Sequence, residues 1–358
     1  MSRFLALAGR RTIPRADPGA APAPVTPNFS ALLIEAISDP VLIVTEQQIT
    51  RANAAAREVL GEHVVGLDVN VAIRHPDVRP LLRDEASDGA AEVVGLGGRE
   101  RHWEIRVSTI SPGTRVIQMV DRSARHAAER ARTDFVANAS HELRTPLASI
   151  LGFIETLSDD EAGGDARLRA RFLGVMAAEA QRMQRLIDDL ISLSRIEAER
   201  HQPPRQPIDL ANLVTSAARE IRNPLGDPAN IILDFENGLG TVPGDRTQLQ
   251  QLVHNLLSNA LKYGRVNAPV RVTLTREEPN LIRLQVIDQG EGIAPEHLPR
   301  LTERFYRVDS ARSRAGGGTG LGLAIAKHIV ERHRGKLSIA SALGVGTTVS
   351  ATFPADRL

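Results

Sequence analysis

Ser140-His141-Glu142-Leu143-Arg144-Thr145-Pro146-Leu147 lies inside a run whose apolar residues Phe135, Ala139, Leu143, Leu147, Ile150, Ile154 and Leu157 step by four or three. That spacing predicts a helix with one core stripe. His141 is two residues, about 200° of helix rotation, from Ala139 and Leu143, so it faces solvent, and Thr145 one turn on shares its face. Pro146 has no N–H and leaves the carbonyl of Glu142 without its helical partner, which predicts a kink beside His141. An exposed histidine followed by a carboxylate, a threonine one turn later and an interior proline is costly, and stability alone does not select it.

Working outward, Asp159 to Asp165 with Gly163-Gly164 makes a turn, and Phe172, Met176, Met183, Leu186, Leu190 and Leu193 repeat the helical spacing to about Ala198. Two such helices cannot bury their stripes alone; the economical solution is a homodimer in which two antiparallel hairpins form a four-helix bundle. Upstream, residues 121–134 are charged, Ala-rich and free of Gly and Pro, and read as a stiff helical connector. Before it comes a helical start (Leu32, Leu33, Ala36, Ile37), a strand at Val41–Val44, and strands at Trp103–Val107 and Arg115–Val120 around a Ser111-Pro112-Gly113 turn. Helix, strand, small helices and antiparallel strands in that order resemble an α+β PAS sensor domain. His63, His75 and His102 are scattered singly and read as surface histidines. Residues 1–28, with Pro14, Pro18, Pro22, Pro24 and Pro27 among alanines, read as a disordered leader.

His201-Gln-Pro203-Pro204 ends the second helix, and residues 207–356 alternate helical and strand patterns as an α/β sandwich. Asp245 is an N-cap with Gln248 at N3, opening a helix on which Asn255, Asn259 and Lys262, followed by Tyr263, form a polar stripe opposite Leu252, Leu256 and Ala260. Leu281–Ile287 alternates as a strand and ends in Asp288-Gln289-Gly290-Glu291-Gly292. Gly316-Gly317-Gly318-Thr319-Gly320-Leu321-Gly322 opens another helix, so backbone N–H groups can point at phosphate, yet no Walker or dinucleotide spacing is present. Gly344-Val345-Gly346-Thr347 follows. Between the two glycine clusters lie Glu303-Arg304-Phe305-Tyr306-Arg307, Arg312 and Arg314, a stretch without strong pattern that reads as a mobile lid.

The octapeptide around His141 resembles the H box of sensor histidine kinases, and the longer run Thr133–Leu157 is similar to the phosphate-regulon sensor branch. The later motifs resemble, in family order, the N box, first glycine box, F box, second and third glycine boxes of the Bergerat (GHKL) ATP-binding fold. The resemblance implies that His141 accepts the γ-phosphoryl group of ATP, with Glu142 as base and Thr145 serving a reverse phosphatase activity. It implies that Asn259 gives its amide oxygen to Mg²⁺, that Lys262, Tyr263, Arg307, Gly318, Thr319, Gly320, Leu321, Gly322 and Thr347 line the nucleotide, and that Asp288, with Gly290 and Gly292, takes the adenine amino group. Where hydrolytic relatives hold a Glu, this chain has Asn255, which favours transfer to a residue over ATP hydrolysis. Thr302 stands where the family usually has Phe. The implied partner is a response regulator whose receiver aspartate takes the phosphoryl group.

Composition narrows the alternatives. With 44 Lys+Arg against 43 Asp+Glu the net charge is +1, which gives no nucleic-acid arm. The absence of cysteine excludes disulfide frameworks and thiolate chemistry. No window approaches the 18 or so apolar residues of a membrane span, so a cytoplasmic protein is expected, either a cytosolic variant or a chain whose given start misses a membrane anchor. A scaffold that binds ATP without transferring it and a GHKL ATPase are the competing readings; the H box argues against the second.

Overall fold

The computed structural model describes residues 29–83, 88–98, 100–158, 165–199, 201–221, 230–277, 280–308 and 318–355. The expected leader, the Gly163-Gly164 turn, Arg312, Arg314, Gly316 and Gly317 lie outside the described residues. The chain divides into two compact units, up to Arg132 and from Thr133 onward.

In the first unit, helix α1 (Phe29–Glu35) precedes strands β1 (Val41–Thr45) and β2 (Gln48–Ala52). Short helices α2 (Ala54–Leu60), α3 (Val69–Ala72) and α4 (Arg79–Arg83) follow, then β3 (Gly89–Val94), β4 (His102–Ser111) and β5 (Thr114–Asp121). The strands form one sheet in the order β2-β1-β5-β4-β3. Its inner face carries Leu42, Ile49, Ile105, Ile117 and Met119, packed under Val64, Val69 and Leu82 of the helical crossing. Two buried polar residues fasten this layer. Asn53 takes Val41 N–H and Ala56 N–H on Oδ1, both at 2.9 Å, and donates to the carbonyls of Ile37 and Asp39 at 2.9 and 2.8 Å. It thus caps α2 and ties α1 to β1. Arg115 donates to the carbonyls of Leu81 and Leu82 at 2.8 and 2.7 Å, which satisfies the C-terminal end of α4. His102 is not solitary as the sequence suggested: its ring stacks on His126 at 4.4 Å.

Helix α5 (Ser123–Leu157) is unbroken for 35 residues, with Pro146 in its interior. Around the missing N–H, side chains take up carbonyls: Thr145 Oγ1 donates to His141 O and Ser149 Oγ to Thr145 O, each at 3.3 Å. Helix α6 (Ala166–Ala198) starts on the carboxylate of Asp165, which accepts from Arg167 and Leu168 N–H. Phe153 packs on Phe172, and Glu142 pairs with Arg182, so moving back along α5 moves forward along α6 and the hairpin is antiparallel. The predicted stripe is only partly covered within one chain. Leu147 and Ile154 of that stripe remain 46% and 44% exposed, and outside it Leu151 of α5 and Ile191 of α6 are 52% and 62% exposed.

The remainder is a two-layer α/β arrangement. Strand β6 (Gln206–Ile208) leads into α7 (Leu210–Glu220), then come β7 (Ile231–Phe235) and β8 (Val242–Gly244), which pairs with β6. Helix α8 (Arg246–Tyr263) is followed by β9 (Val270–Glu277), β10 (Leu281–Ile287), a 3₁₀ turn at Pro295–Arg300, α9 (Gly322–Arg332), β11 (Lys336–Ala342) and β12 (Gly346–Pro354). The main sheet runs β11-β12-β10-β9-β7, with only the β7–β9 pairing parallel. Alternate residues of β10 (Ile282, Leu284, Val286) and β9 (Val270, Val272, Leu274) enter one core with Leu252, Leu256, Ile325 and Ile329 of the helices. Leu186, Leu193 and Ile196 join the same cluster, so the end of α6 packs into the α/β layer. The 3₁₀ turn occupies part of the stretch expected to lack pattern.

Candidate active site

Asp245 caps α8 as its spacing predicts, accepting from Thr247 N–H at 3.0 Å and Gln248 N–H at 3.2 Å. Its own N–H donates to His333 Nε2 at 3.0 Å, while His333 Nδ1 lies 2.7 Å from the carbonyl of Ile329. That pairing requires Nδ1–H and a neutral ring, and burial accordingly pushes the His333 pKa down. The start of α8 and the end of α9 are thereby locked together. Three turns along α8, Asn255 Nδ2 donates to the carbonyl of Gly322 at 3.2 Å. A methyl group placed on Gly322 would stand 3.8 Å from Asn255 Cγ and 4.0 Å from Asn259 Nδ2. The N-box amides therefore face the start of α9, whose first turn carries no side-chain cap, and its N–H groups suit an anion. Lys262 Nζ sits 4.8 Å from the centre of the Tyr263 ring at the far end of α8.

The loop after β10 closes on itself. Asp288 Oδ1 accepts from Gly290 N–H at 2.8 Å and Thr347 N–H at 3.3 Å, and Asp288 N–H donates to Thr347 O at 2.9 Å. Burial raises the Asp288 pKa, with the two backbone donors pulling it back. Gly292 has φ +74°, and a Cβ there would fall 2.0 Å from Ala342 O. Only glycine fits where this loop meets the end of β11.

The glycine loop and the F box turn toward the hairpin. Thr319 Oγ1 donates to Asp189 Oδ2 on α6 at 2.7 Å. Arg307, its side chain 8% exposed, donates to Glu142 Oε2 at 3.0 Å, and Arg182 of α6 reaches the same oxygen at 3.3 Å. Arg304 pairs with Glu197 and lies 5.1 Å over the ring of Phe135, which also meets Phe305 at 5.9 Å. Phe305 holds φ +64°, and its N–H donates to Gly320 O at 2.9 Å. Tyr306 is fixed from the other side by His297 Nδ1 at 2.7 Å and by Arg300, 4.2 Å over its ring. His141 itself is exposed.

The structure therefore brings Asn255, Asn259, Gly322 and Thr319 to one edge and Asp288, Gly290, Gly292 and Thr347 to one loop cluster. It sets Arg307 on Glu142. Arg182, Asp189 and Glu197 were not singled out from sequence. Each sits among helical apolar positions and reads locally as part of a solvated face; only their pairing with residues far along the chain marks them.

Three family profiles match. A "PAS domain" covers residues 28–94, a "His Kinase A (phospho-acceptor) domain" 131–199, and a "Histidine kinase-, DNA gyrase B-, and HSP90-like ATPase" 244–357. The phosphate regulon sensor protein PhoR of Pseudomonas aeruginosa is 36% identical over 306 residues, 84% of this chain and 68% of that protein. The sensor protein kinase WalK of Staphylococcus aureus is 37% identical over 238 residues, 66% of this chain and 57% of that protein. Longer WalK sequences are covered to 39%. A solved structure of histidine kinase ThkA in complex with response regulator protein TrrA covers 90% of this chain and 98% of that one at 18% identity and a TM-score of 0.49. Among the described residues no helix is long and apolar enough to cross a membrane. With its phospho-acceptor and ATPase-type segments following a PAS segment, and with PhoR matched over most of its length, the chain belongs to the sensor histidine kinases.

Proposed function

We propose that the chain transfers the γ-phosphoryl group of ATP to a ring nitrogen of His141 and then passes it to an aspartate of a response regulator. The observation that carries this reading is the exposed His141, next to the half-buried Glu142, on a helix whose compact unit also contains the Asn255–Asn259–Gly322 edge and the Asp288 loop. Neutral imidazole is a good nucleophile at physiological pH, and Glu142 is placed by sequence to take the proton of the other ring nitrogen as the bond forms. Asp288 would orient adenine through its carboxylate, and Lys262 and Tyr263 would steady the phosphates. The amide oxygen of Asn259 suits Mg²⁺, a hard cation that takes oxygen ligands and would neutralise charge on the transferring phosphoryl group.

Domain limits of 29–120, 121–134, 135–200 and 207–356 fit this division of labour, with a homodimer completing the bundle. Thr145, at i+4 from His141, supports phosphatase activity toward the regulator, and similarity to PhoR supports a role in phosphate signalling. Incubation with Mg²⁺ and γ-labelled ATP tests the reading: an acid-labile, alkali-stable label on the protein, lost in His141→Gln while ATP binding persists, is expected. Phosphate release without labelling would indicate an ATPase, and binding without either a scaffold. Thr145→Ala is expected to spare labelling more than regulator dephosphorylation.

A further inference from the structure

Thr319 has one hydroxyl proton, and in this structure the hydrogen bond goes to Asp189 Oδ2 at 2.7 Å, while its oxygen accepts Leu321 N–H at 3.3 Å. Asp189 comes from the hairpin. It stands on α6 between Leu186 and Leu193, both buried in the core shared with the α/β layer. Burial raises the Asp189 pKa and Asp188 pushes the same way, against the pull of Thr319 and Arg185. A second carboxylate repeats the pattern: Glu142, also on the hairpin, holds Arg307, a cation suited to phosphate. Two groups from the phosphate side of the loop and lid are thus met by two acidic groups of the bundle.

A hydroxyl proton given to a carboxylate is not available to a phosphate oxygen. A carboxylate at that place also carries the charge sign of the triphosphate, in surroundings where like charges repel more strongly than in bulk water. Seating of Asp189 on Thr319 and seating of phosphate on Thr319 therefore exclude each other. We propose that Asp189 is a positioning residue for the nucleotide. Acting through Thr319, it ties the start of α9 to the bundle, and it lowers ATP affinity by the cost of its displacement. The proposal rests on the reading that Thr319 contacts the phosphates. Reciprocity follows: bound ATP weakens the hold of α6 on the loop by the same factor.

The test measures dissociation constants of Mg-ATP and of adenosine for the full chain by titration calorimetry. The set is wild type, Asp189→Asn, Asp189→Ala, Thr319→Val and the double variant Asp189→Ala/Thr319→Val. Asp189→Ala, which removes both acceptor and charge, is expected to tighten ATP about 5- to 20-fold, within the usual span of coupling between sites; Asp189→Asn, which keeps an acceptor for the Thr319 hydroxyl and removes only the charge, tightens it less, and both leave adenosine within about twofold. A gain in affinity does not arise from misfolding. Unchanged or weaker ATP binding in both Asp189 variants overturns the proposal. So does equal tightening of adenosine, which would mean a generally opened site rather than relief at the phosphates. If the Asp189 variants have no effect yet Thr319→Val weakens ATP, the proposal alone falls. If the double variant binds ATP as well as Asp189→Ala does, Thr319 is no phosphate contact and the site assignment fails with it.

Discussion

At the proposed adenine end of the site, the Asp288 carboxylate is held by N–H groups of its own loop and of Thr347 next door, within one layer of the α/β arrangement. At the proposed phosphate end, Thr319 and Arg307 reach instead to Asp189 and Glu142 on the helical hairpin. On the proposed assignment, the base end is organised within the α/β layer alone, whereas the phosphate end is shared with the hairpin. Base recognition should therefore be insensitive to the hairpin, while phosphate recognition and chemistry should answer to it.

The largest expected effect is at the second end. Glu142→Gln removes the base candidate and releases Arg307, so the rate of His141 labelling should fall by about 10²- to 10⁴-fold while ATP affinity does not fall. Single-turnover labelling with a parallel titration separates the two; an equal drop in both would erase the distinction between binding and chemistry. Next, Asp288→Asn presents an amide where adenine needs an acceptor, and should weaken ATP and adenosine alike by about 10- to 100-fold, as a mispaired buried polar group does. Weakening of ATP alone would place Asp288 at the wrong end. Gly292→Ala drives a methyl group into Ala342 O at a positive φ, and should cost about 1–3 kcal/mol of stability in denaturant unfolding. An unchanged midpoint would show that the adenine loop is not built by that contact.

The smallest effect concerns the lock beneath both ends. His333 must stay neutral to donate to Ile329 and accept from Asp245, and burial lowers its pKa. As pH falls below about 6.5, the unfolded chain takes up a proton that the folded ring refuses, so stability contributed by the neutral ring declines, by at most about 1.4 kcal/mol per pH unit. Wild type compared with His333→Gln from pH 7.5 downward should show this slope only in the wild type, with both ends of the site affected together.

Much of this could be read from local pattern. The Asp245 cap, the buried side of α8 and the limits of β10 follow from spacing over a few residues. The glycine clusters revealed close backbone approach because few other residues permit it. Less legible were β2, whose five residues Gln48–Ala52 include two charged or amide side chains, and α5, which Pro146 does not break, with side-chain bonds to the neighbouring carbonyls of His141 and Thr145. The partnerships of Arg182 with Glu142 and Asp189 with Thr319 join residues 40 and 130 positions apart, beyond any periodic signal. Phe305 at positive φ is likewise imposed by the Gly320 contact and has no sequence signature.

The apolar residues left uncovered along α5 and α6 bear on how the protein will behave in dilute solution. If a second copy covers Leu147, Leu151, Ile154 and Ile191, part of the folding free energy is a mass-action quantity. The melting temperature should then climb with protein concentration, and samples kept scarce should be the first to unravel.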